Sequence, residues 1–249
     1  MESSLIAAAN TALLHCMGTK PGERVLIVTD TILQDLGKIF FQQAKNLETE
    51  AMLMEMVPRL SNGEEPPAAV AAAMQEADVV LLVTEKSLSH TRARRKANEQ
   101  GARIASLPGL TREMMARALN ADYKQIGTLS ESISDLLTKG RRARLTTPAG
   151  TDLLFDLTGR EGHPDTGVYR DQGMFGNLPA GEAYIAPVEG TTQGILVVDG
   201  SMAGIGKLKH PITIHIQDGY ADEILGGEEA EQLNALLQPH GKKGRNIAE

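Results

Sequence analysis

The sequence predicts an α/β protein. Its amino-terminal half is a doubly wound, Rossmann-like parallel sheet, and its second half is a mixed α+β domain. Through about the first 140 residues, short apolar runs alternate with amphipathic helical patterns, which is typical of parallel strands with helices on both faces. After Gly140 glycine becomes dense and hairpin signals appear. We therefore expect two domains, residues 1–140 and residues 141–249.

Four runs of apolar, mostly β-branched residues predict the strands of the first domain. Continuous apolar runs bounded by turns are typical of strands buried on both faces of a parallel sheet. The predicted strands are Arg24–Asp30, Ala51–Val57, Asp78–Thr84 and Arg103–Leu107. Right-handed crossovers are expected between them.

Helical patterns precede and separate these strands. The predicted helices are Leu5–Met17, Ile32–Leu47, Pro67–Glu76, Thr91–Gln100 and Arg112–Leu119. Ser87 or Ser89 is expected to cap the fourth of them, because a serine hydroxyl accepts hydrogen bonds from the first amides of a helix.

The second domain is predicted from a different pattern. A helix over residues 130–139 leads into a hairpin around Pro148–Gly150, two further strands and a late helix. The hairpin strands are Ala143–Thr147 and Asp152–Leu157, the later strands Gly194–Asp199 and Ile212–Ile216, and the helix Glu228–Leu237. The stretch from Gly244 to Glu249 looks like the start of another strand.

Composition and charge exclude several classes of function. The formal net charge of −7 argues against general affinity for nucleic acid or for an anionic membrane surface. Aromatic residues make up 3% of the chain and Trp is absent, so there is little surface on which bases could stack. A single cysteine, Cys16, rules out an internal disulfide and a cysteine-rich zinc site. Without a secretory signal or a long apolar stretch, we expect a cytoplasmic protein.

Two glycine-containing segments fail as nucleotide sites. The first strand ends at Asp30 without the Gly-x-Gly-x-x-Gly turn that binds a dinucleotide. Gly204–Lys207 lacks the spacing of a phosphate-binding loop, and Leu208 stands where Ser or Thr would follow the lysine. We therefore expect no nucleotide cofactor.

The loop after the third predicted strand is a candidate binding site. Open α/β sheets bind ligands outside the carboxyl ends of their strands, and Thr84–Thr91 lies at such an end. His90 in this loop is the candidate substrate contact.

Two carboxylates are candidates for metal chemistry. His163-Pro164-Asp165 presents an imidazole and a carboxylate, although in a loop rich in Gly and Pro the pattern favours a turn in which Asp165 binds local amides. Glu182 has small or apolar neighbours, and a carboxylate buried there would need a cation or hydrogen-bond donors. An exposed turn glutamate is the alternative.

The chain resembles the aminopeptidase T family of metallo-aminopeptidases over nearly its whole length. The resemblance is carried by Lys20–Glu23 leading into the first strand, by Ser87–Thr91, by Gly101–Ala105, and most specifically by Phe175–Glu182. It implies that Glu182 and Glu249 are metal ligands, that zinc or cobalt is the metal, and that peptides or other small molecules are the substrate. We also expect a homodimer.

The chain departs from that family after Glu249. In the family a Leu-Gly-Ile-Gly-Thr-Asn run follows, and later a histidine, a tyrosine and a His-x-Asp pair complete a two-metal site, which would polarise a carbonyl and supply hydroxide. None of these follows here. We therefore expect a chain that lacks the carboxyl-terminal segment of the family and is catalytically incomplete as written.

Two alternatives to an aminopeptidase stay open. One is a related mononuclear non-haem iron dioxygenase that opens hydroxylated pyridine rings and uses the later histidine and His-x-Asp as its iron ligands. The presence of both Glu182 and Glu249 favours the two-metal peptidase over this iron enzyme. The other alternative is a non-catalytic binding module.

Overall fold

The computed structural model describes residues 2–248, and these residues form two compact units. One unit comprises the chain up to Ser130 together with Asp165–Glu182, and the other comprises Glu131–Pro164 together with the chain from Ala183 onward. The first contains a five-stranded parallel sheet and the second a separate five-stranded antiparallel sheet. The predicted fold class is therefore confirmed. A division into separate domains at Gly140 stays a prediction.

The strands and helices follow the predicted order. The strands are β1 (Arg24–Asp30), β2 (Glu50–Met56), β3 (Val79–Val83), β4 (Arg103–Ser106), β5 (Arg142–Thr146), β6 (Asp152–Asp156), β7 (His163–Asp165), β8 (Phe175–Asn177), β9 (Glu182–Tyr184), β10 (Gln193–Val198), β11 (Ser201–Met202), β12 (Gly206–Lys207), β13 (Ile212–Gln217) and β14 (Tyr220–Leu225). The α-helices are α1 (Glu2–Asn10), α2 (Gln34–Asn46), α3 (Ala68–Glu76), α4 (Arg92–Glu99), α5 (Arg112–Ala118), α6 (Tyr123–Lys139) and α7 (Glu228–Leu237). Among the described residues, no helix is both long enough and apolar enough to cross a bilayer.

The parallel sheet has the strand order β2-β1-β3-β4-β8, and its central strands β1, β3 and β4 are buried on both faces. Successive side chains of β1 enter different cores: Val25 and Ile27 pack with α1, α2 and α5, whereas Leu26 and Val28 pack with α3 and α4. This alternation follows from the two-residue period of a strand. Each fully buried aliphatic side chain stabilises the fold by roughly 1.5–3 kcal/mol, which explains why these strands are continuously apolar.

The predicted first helix is divided in the structure. Residues 2–10 are α-helical, but Thr11–Cys16 form a π-helix instead of continuing to Met17 as an α-helix. The carbonyl oxygen of His15 accepts hydrogen bonds from Nε (2.9 Å) and Nη2 (2.7 Å) of Arg170. A residue 155 positions away therefore supplies the hydrogen-bond donors for a carbonyl oxygen at the end of this helix. A local sequence pattern could not predict this contact.

The helix cap after β3 also differs from the prediction. Neither Ser87 nor Ser89 caps α4; Thr91 does, accepting from the backbone N–H of Arg94 at 3.2 Å. Ser87 Oγ instead accepts from the N–H of Ser89. The two serines are thereby available for contacts at the sheet edge.

The second unit is built on the antiparallel order β14-β13-β10-β6-β5. Alternate residues of β13 are buried with α7, Ile212 being fully buried. Asp218 and Gly219 both have positive φ and form the two-residue turn between β13 and β14. At the carboxyl end of the described chain a 3₁₀-helix spans Gln238–Arg245, and the extended residue Asn246 then makes an isolated antiparallel bridge to Tyr220. A longer strand up to Glu249 stays a prediction, because Glu249 lies outside the described residues.

Cys16 is expected to be inert toward thiol reagents in the folded protein. Its side chain is fully buried, and burial raises the pKa of its thiol to about 12. Only the thiolate reacts, and at pH 8 roughly one thiol in ten thousand would be ionised at that pKa. We expect an aromatic disulfide reagent to label the protein only after unfolding in guanidinium chloride. Fast stoichiometric labelling of the native protein would contradict this burial.

Candidate functional site

The carboxyl edge of the parallel sheet is the place where its fold class binds ligands. The strand order reverses between β1 and β3, so the crevice beyond their carboxyl ends is the topological switch point. β1 ends there at Asp30, and the neighbouring strands β4 and β8 end at Ser106 and Asn177.

At the switch point the fully buried carboxylate of Asp30 joins two loops. Its Oδ1 accepts from the N–H groups of Ile32 and Leu33, each at 3.1 Å, and its Oδ2 accepts from the N–H of Glu85 at 2.6 Å. These bonds connect the loop after β1 with the loop after β3. Asp30 therefore has a positioning role: it holds the two loops that border the crevice.

A hydroxyl cluster lies beside this point. Ser89 Oγ is 2.9 Å from Ser87 Oγ, 3.0 Å from Ser106 Oγ and 3.3 Å from Asn177 Oδ1. Ser89 and Ser106 are buried. A hydroxyl both donates and accepts, so this cluster links the ends of β4 and β8 to the loop that carries His90.

The structure places His90 on the exposed part of that loop. Its carbonyl oxygen accepts from Arg95 Nη1 at 3.5 Å. The preceding arginine, Arg94, donates from Nε to the carbonyl oxygen of Ser89 at 2.8 Å. Its guanidinium carbon lies 4.2 Å from the centre of the Phe175 ring. Desolvation lowers the pKa of Arg94. The backbone around His90 is therefore held in place, and a substrate contact by its imidazole stays a prediction.

A second candidate site is a cavity of about 530 Å³ in the other unit. Two aromatic rings form part of its wall: the centroids of His163 and Tyr184 are 5.5 Å apart, with their planes tilted by 41°. The remaining lining includes Arg160, Glu161, Gly159 and Ala186. A cavity of this size suits a small organic ligand, and aromatic walls favour a planar ring.

One of the two charged side chains that line this cavity, Arg160, is paired. Arg160 Nη2 forms an ion pair with Glu189 Oε2. The pKa of Glu189 lies below its usual range, first because of its own backbone N–H and then because of Arg160. Glu161 also lines the cavity. The cavity wall therefore combines two aromatic rings with a carboxylate that can accept hydrogen bonds.

Asp165 does not have the local partners expected from its sequence. His163–Asp165 form the short strand β7 rather than a turn. The carboxylate of Asp165 accepts from the hydroxyl of Tyr169 at 2.7 Å, and burial, followed by Asp165, raises the pKa of Tyr169. Asp165 therefore holds the hydroxyl of a buried tyrosine. The prediction of a turn in which Asp165 binds local amides is wrong.

The structure describes one of the two sequence-predicted metal residues. Glu182 lies at an exposed position of β9, and Glu249 lies outside the described residues. Within residues 2–248, no three His, Cys, Asp or Glu side chains are grouped closely enough to hold a metal ion. The metal role of Glu182 and Glu249 stays a prediction. Sequence reasoning missed Tyr184, because no motif distinguishes it and only folding places it beside His163.

Comparisons with known proteins give one family and two similar structures. The family model described as 2,5-dihydroxypyridine 5,6-dioxygenase (NicX) matches residues 4–245. The 2,5-dihydroxypyridine dioxygenase from Pseudomonas putida KT2440 has a TM-score of 0.75 and 20% identity, covering 96% of this chain and 72% of that one. Wild-type AmpT from Thermus thermophilus has a TM-score of 0.68 and 18% identity, covering 98% and 76%. No curated protein sequence matches significantly.

These matches correct the functional prediction. At 20% and 18% identity the two structures show a shared fold and nothing more. The likeness to AmpT supports the aminopeptidase-like fold, but the matching family model describes a dioxygenase. The prediction of an aminopeptidase, a hydrolase or a metalloprotease is therefore wrong. The iron dioxygenase, held above as an alternative, is the better supported function.

Proposed function

Since the chain belongs to the 2,5-dihydroxypyridine 5,6-dioxygenase family, we propose that it acts on a hydroxylated pyridine and opens the ring with molecular oxygen. The observation that carries this proposal is the match of the family model over residues 4–245, which spans both units of the fold. The ligand is a small molecule.

The cavity with the two aromatic rings supports the substrate class. A hydroxylated pyridine is planar and polar, and Tyr184 offers a ring on which it can stack while its hydroxyl groups meet polar side chains such as Glu161. Tyr184 is 39% exposed, so a ligand can reach it without rearrangement of the core. We propose this cavity as the ring-binding surface of the second unit.

The family implies a divalent metal, and we propose iron; zinc and cobalt were expected only from the aminopeptidase resemblance. A mononuclear iron site of the oxygenase type uses two histidines and a carboxylate. Residues 2–248 do not fit this requirement, because they bring no three such side chains together. The part of the reaction ascribed to these residues is therefore recognition of the ring.

Oxygen uptake with 2,5-dihydroxypyridine tests the proposal. The 249-residue protein is supplied with Fe²⁺, and oxygen consumption, ring absorbance and bound iron are followed on one sample. Consumption of O₂ in step with loss of the ring supports the proposal. Ring binding in anaerobic dialysis by protein that retains no iron supports the part ascribed to residues 2–248, which is recognition of the ring. Iron-loaded protein without oxygen uptake, or protein that binds neither iron nor the ring, contradicts it.

Replacing Tyr184 tests the ring-binding cavity. Tyr184→Ala is expected to raise the dissociation constant for 2,5-dihydroxypyridine at least about fivefold, because stacking contributes roughly 1 kcal/mol beyond buried area. Tyr184→Phe keeps the ring and is expected to bind nearly as well as the unaltered protein. Equal affinities for the alanine and phenylalanine variants would place the ring elsewhere.

Two further features remain proposals. His90, on the exposed loop at the carboxyl edge of the parallel sheet, is the proposed substrate contact of the first unit. A homodimer is the proposed assembly.

A further inference from the structure

We propose that a pocket at the amino edge of the parallel sheet binds a small oxyanion, such as phosphate or a short carboxylate. The pocket has a volume of about 190 Å³ and lies entirely within the first unit. This is many times the roughly 10–15 Å³ that a cavity needs to hold one water molecule. Six charged side chains line it: Lys20, Glu23, Arg24, Asp78, Arg103 and Arg170.

Arg103 anchors the pocket. It starts β4 and is only 5% exposed. Its Nη1 donates to the carbonyl oxygens of Met17 at 3.0 Å and Gly18 at 3.2 Å, and its Nη2 lies 2.7 Å from Glu23 Oε1. A guanidinium held by several fixed groups is pre-organised, so the pocket wall does not need to be ordered when a ligand binds.

The two carboxylates of the pocket are already neutralised. Glu23 is paired with Arg103. Asp78 accepts from Nη2 of Arg24 at 2.8 Å and from its Nε at 3.2 Å, a two-point pair that also lowers the pKa of Asp78. These four charges balance one another within the pocket wall. Outside the lining, the exposed carboxylate of Glu76 lies 3.7 Å from Nη1 of Arg24.

The charge that remains on the pocket wall is positive. No ion pair of the Lys20 ammonium occurs among residues 2–248. Arg170 donates from Nε and Nη2 to the carbonyl oxygen of His15, a neutral acceptor, and so keeps its net charge. The side-chain amides of Gln100 and Gln172 add neutral hydrogen-bond donors to the lining.

A net positive, pre-organised pocket on a protein of net charge −7 calls for an anionic ligand. Oxyanions suit it because the N–H groups of arginine, lysine and side-chain amides donate hydrogen bonds, which the charged oxygens of an oxyanion accept. The volume of about 190 Å³ admits a phosphate or a short carboxylate. The pocket lies where β1 and β4 begin, at Arg24 and Arg103. It is therefore at the edge of the sheet opposite the His90 loop, and its ligand is additional to the ring substrate.

Titration calorimetry with inorganic phosphate tests this site. Phosphate is expected to bind the 249-residue protein in a one-to-one ratio, and sodium chloride at matched ionic strength is expected not to replace it. Lys20→Met is expected to weaken binding at least about tenfold, because a charge-assisted contact is lost. Lys20→Arg, which keeps the charge, is expected to bind within a few-fold of the original.

The matched control is Lys38→Met. Lys38 is an exposed lysine on α2 whose ammonium donates to Gln34, away from the pocket. A second titration with succinate in place of phosphate distinguishes a carboxylate ligand from a phosphate ligand. Binding of phosphate or of succinate supports the site. Binding of neither anion would overturn the proposal, as would equal losses in Lys20→Met and Lys38→Met. Because Lys20 is exposed, loss of folding is not expected, and the melting temperature of each variant verifies this. The outcome is independent of oxygen uptake, so this proposal and the proposed function fail separately.

Discussion

Gly176→Ala is expected to destabilise the protein by about 3 kcal/mol or more, because the new methyl group has no space. A Cβ at Gly176 would lie 2.2 Å from Cζ and Oη of Tyr169. That ring is buried, and its hydroxyl is held 2.7 Å from both Asp165 Oδ1 and the carbonyl oxygen of Asn177. The ring can give way only by losing these hydrogen bonds.

The effect of Gly176→Ala is steric rather than conformational. The backbone of Gly176 is not in the positive-φ region, so alanine could adopt it without strain if the ring were absent. Gly200→Ala is the matched control: Gly200 also lacks a positive φ, and a Cβ there meets no atom within 4 Å. Urea unfolding is expected to show a change of less than about 0.5 kcal/mol for the control. Similar midpoints for the two variants would contradict the packing of Tyr169 on β8.

Asp30→Ala is expected to cost about 3–5 kcal/mol of unfolding free energy. The substitution removes a carboxylate that accepts from the backbone N–H groups of Ile32, Leu33 and Glu85. The N–H of Leu33 keeps the carbonyl oxygen of residue 30 as an acceptor, at 3.1 Å. Hydrogen bonds to a charged group contribute roughly 1.5–3 kcal/mol each, and a buried donor left without a partner adds its desolvation cost. The site is fully buried, so water does not readily replace the carboxylate.

Two variants distinguish the loss of the Asp30 hydrogen bonds from a general effect of losing a carboxylate. Asp35→Ala removes an exposed carboxylate from the first turn of α2 and is expected to cost less than about 1 kcal/mol. Asp30→Asn keeps one acceptor oxygen and is expected to fall between the alanine variant and the original. Hydrogen exchange of the Glu85 amide gives a local readout. Unchanged protection of this amide in Asp30→Ala would show that the Asp30 carboxylate does not hold the loop after β3.

The regular elements of the fold could be predicted because their signals are local. β1 spans Arg24–Asp30 in both the prediction and the structure, and α7 spans Glu228–Leu237 in both. An apolar run bounded by turns specifies a buried strand wherever it folds. β8 was missed because a three-residue strand, Phe175–Asn177, has no periodicity of its own and forms only against the edge of β4.

The candidate sites were less predictable than the fold. His90 could be placed at the carboxyl edge of the sheet from the strand order alone, since that edge follows from topology. The hydroxyl cluster around Ser89 joins residues up to 88 positions apart, and no local pattern connects them. The aromatic wall of the second unit likewise depends on β7 and β9 forming one small sheet.

In this protein the fold did not predict the activity. The resemblance to aminopeptidase T gave the right fold and the wrong activity, since a fold accommodates several chemistries and a site defines each one. Phe175–Glu182, the most specific part of that resemblance, contains β8 and begins β9, so part of its sequence pattern has an architectural cause.

By itself, the sequence determined the α/β class, the order of strands and helices and the carboxyl edge as a candidate binding edge, because periodicity and chain connectivity are properties of neighbouring residues. Only the tertiary structure decided that Asp30 ties two loops, that Tyr184 meets His163, and that Lys20 and Arg170 leave a pocket net positive. These arrangements depend on distances between residues far apart in the chain, and such distances are set only when the hydrophobic cores form.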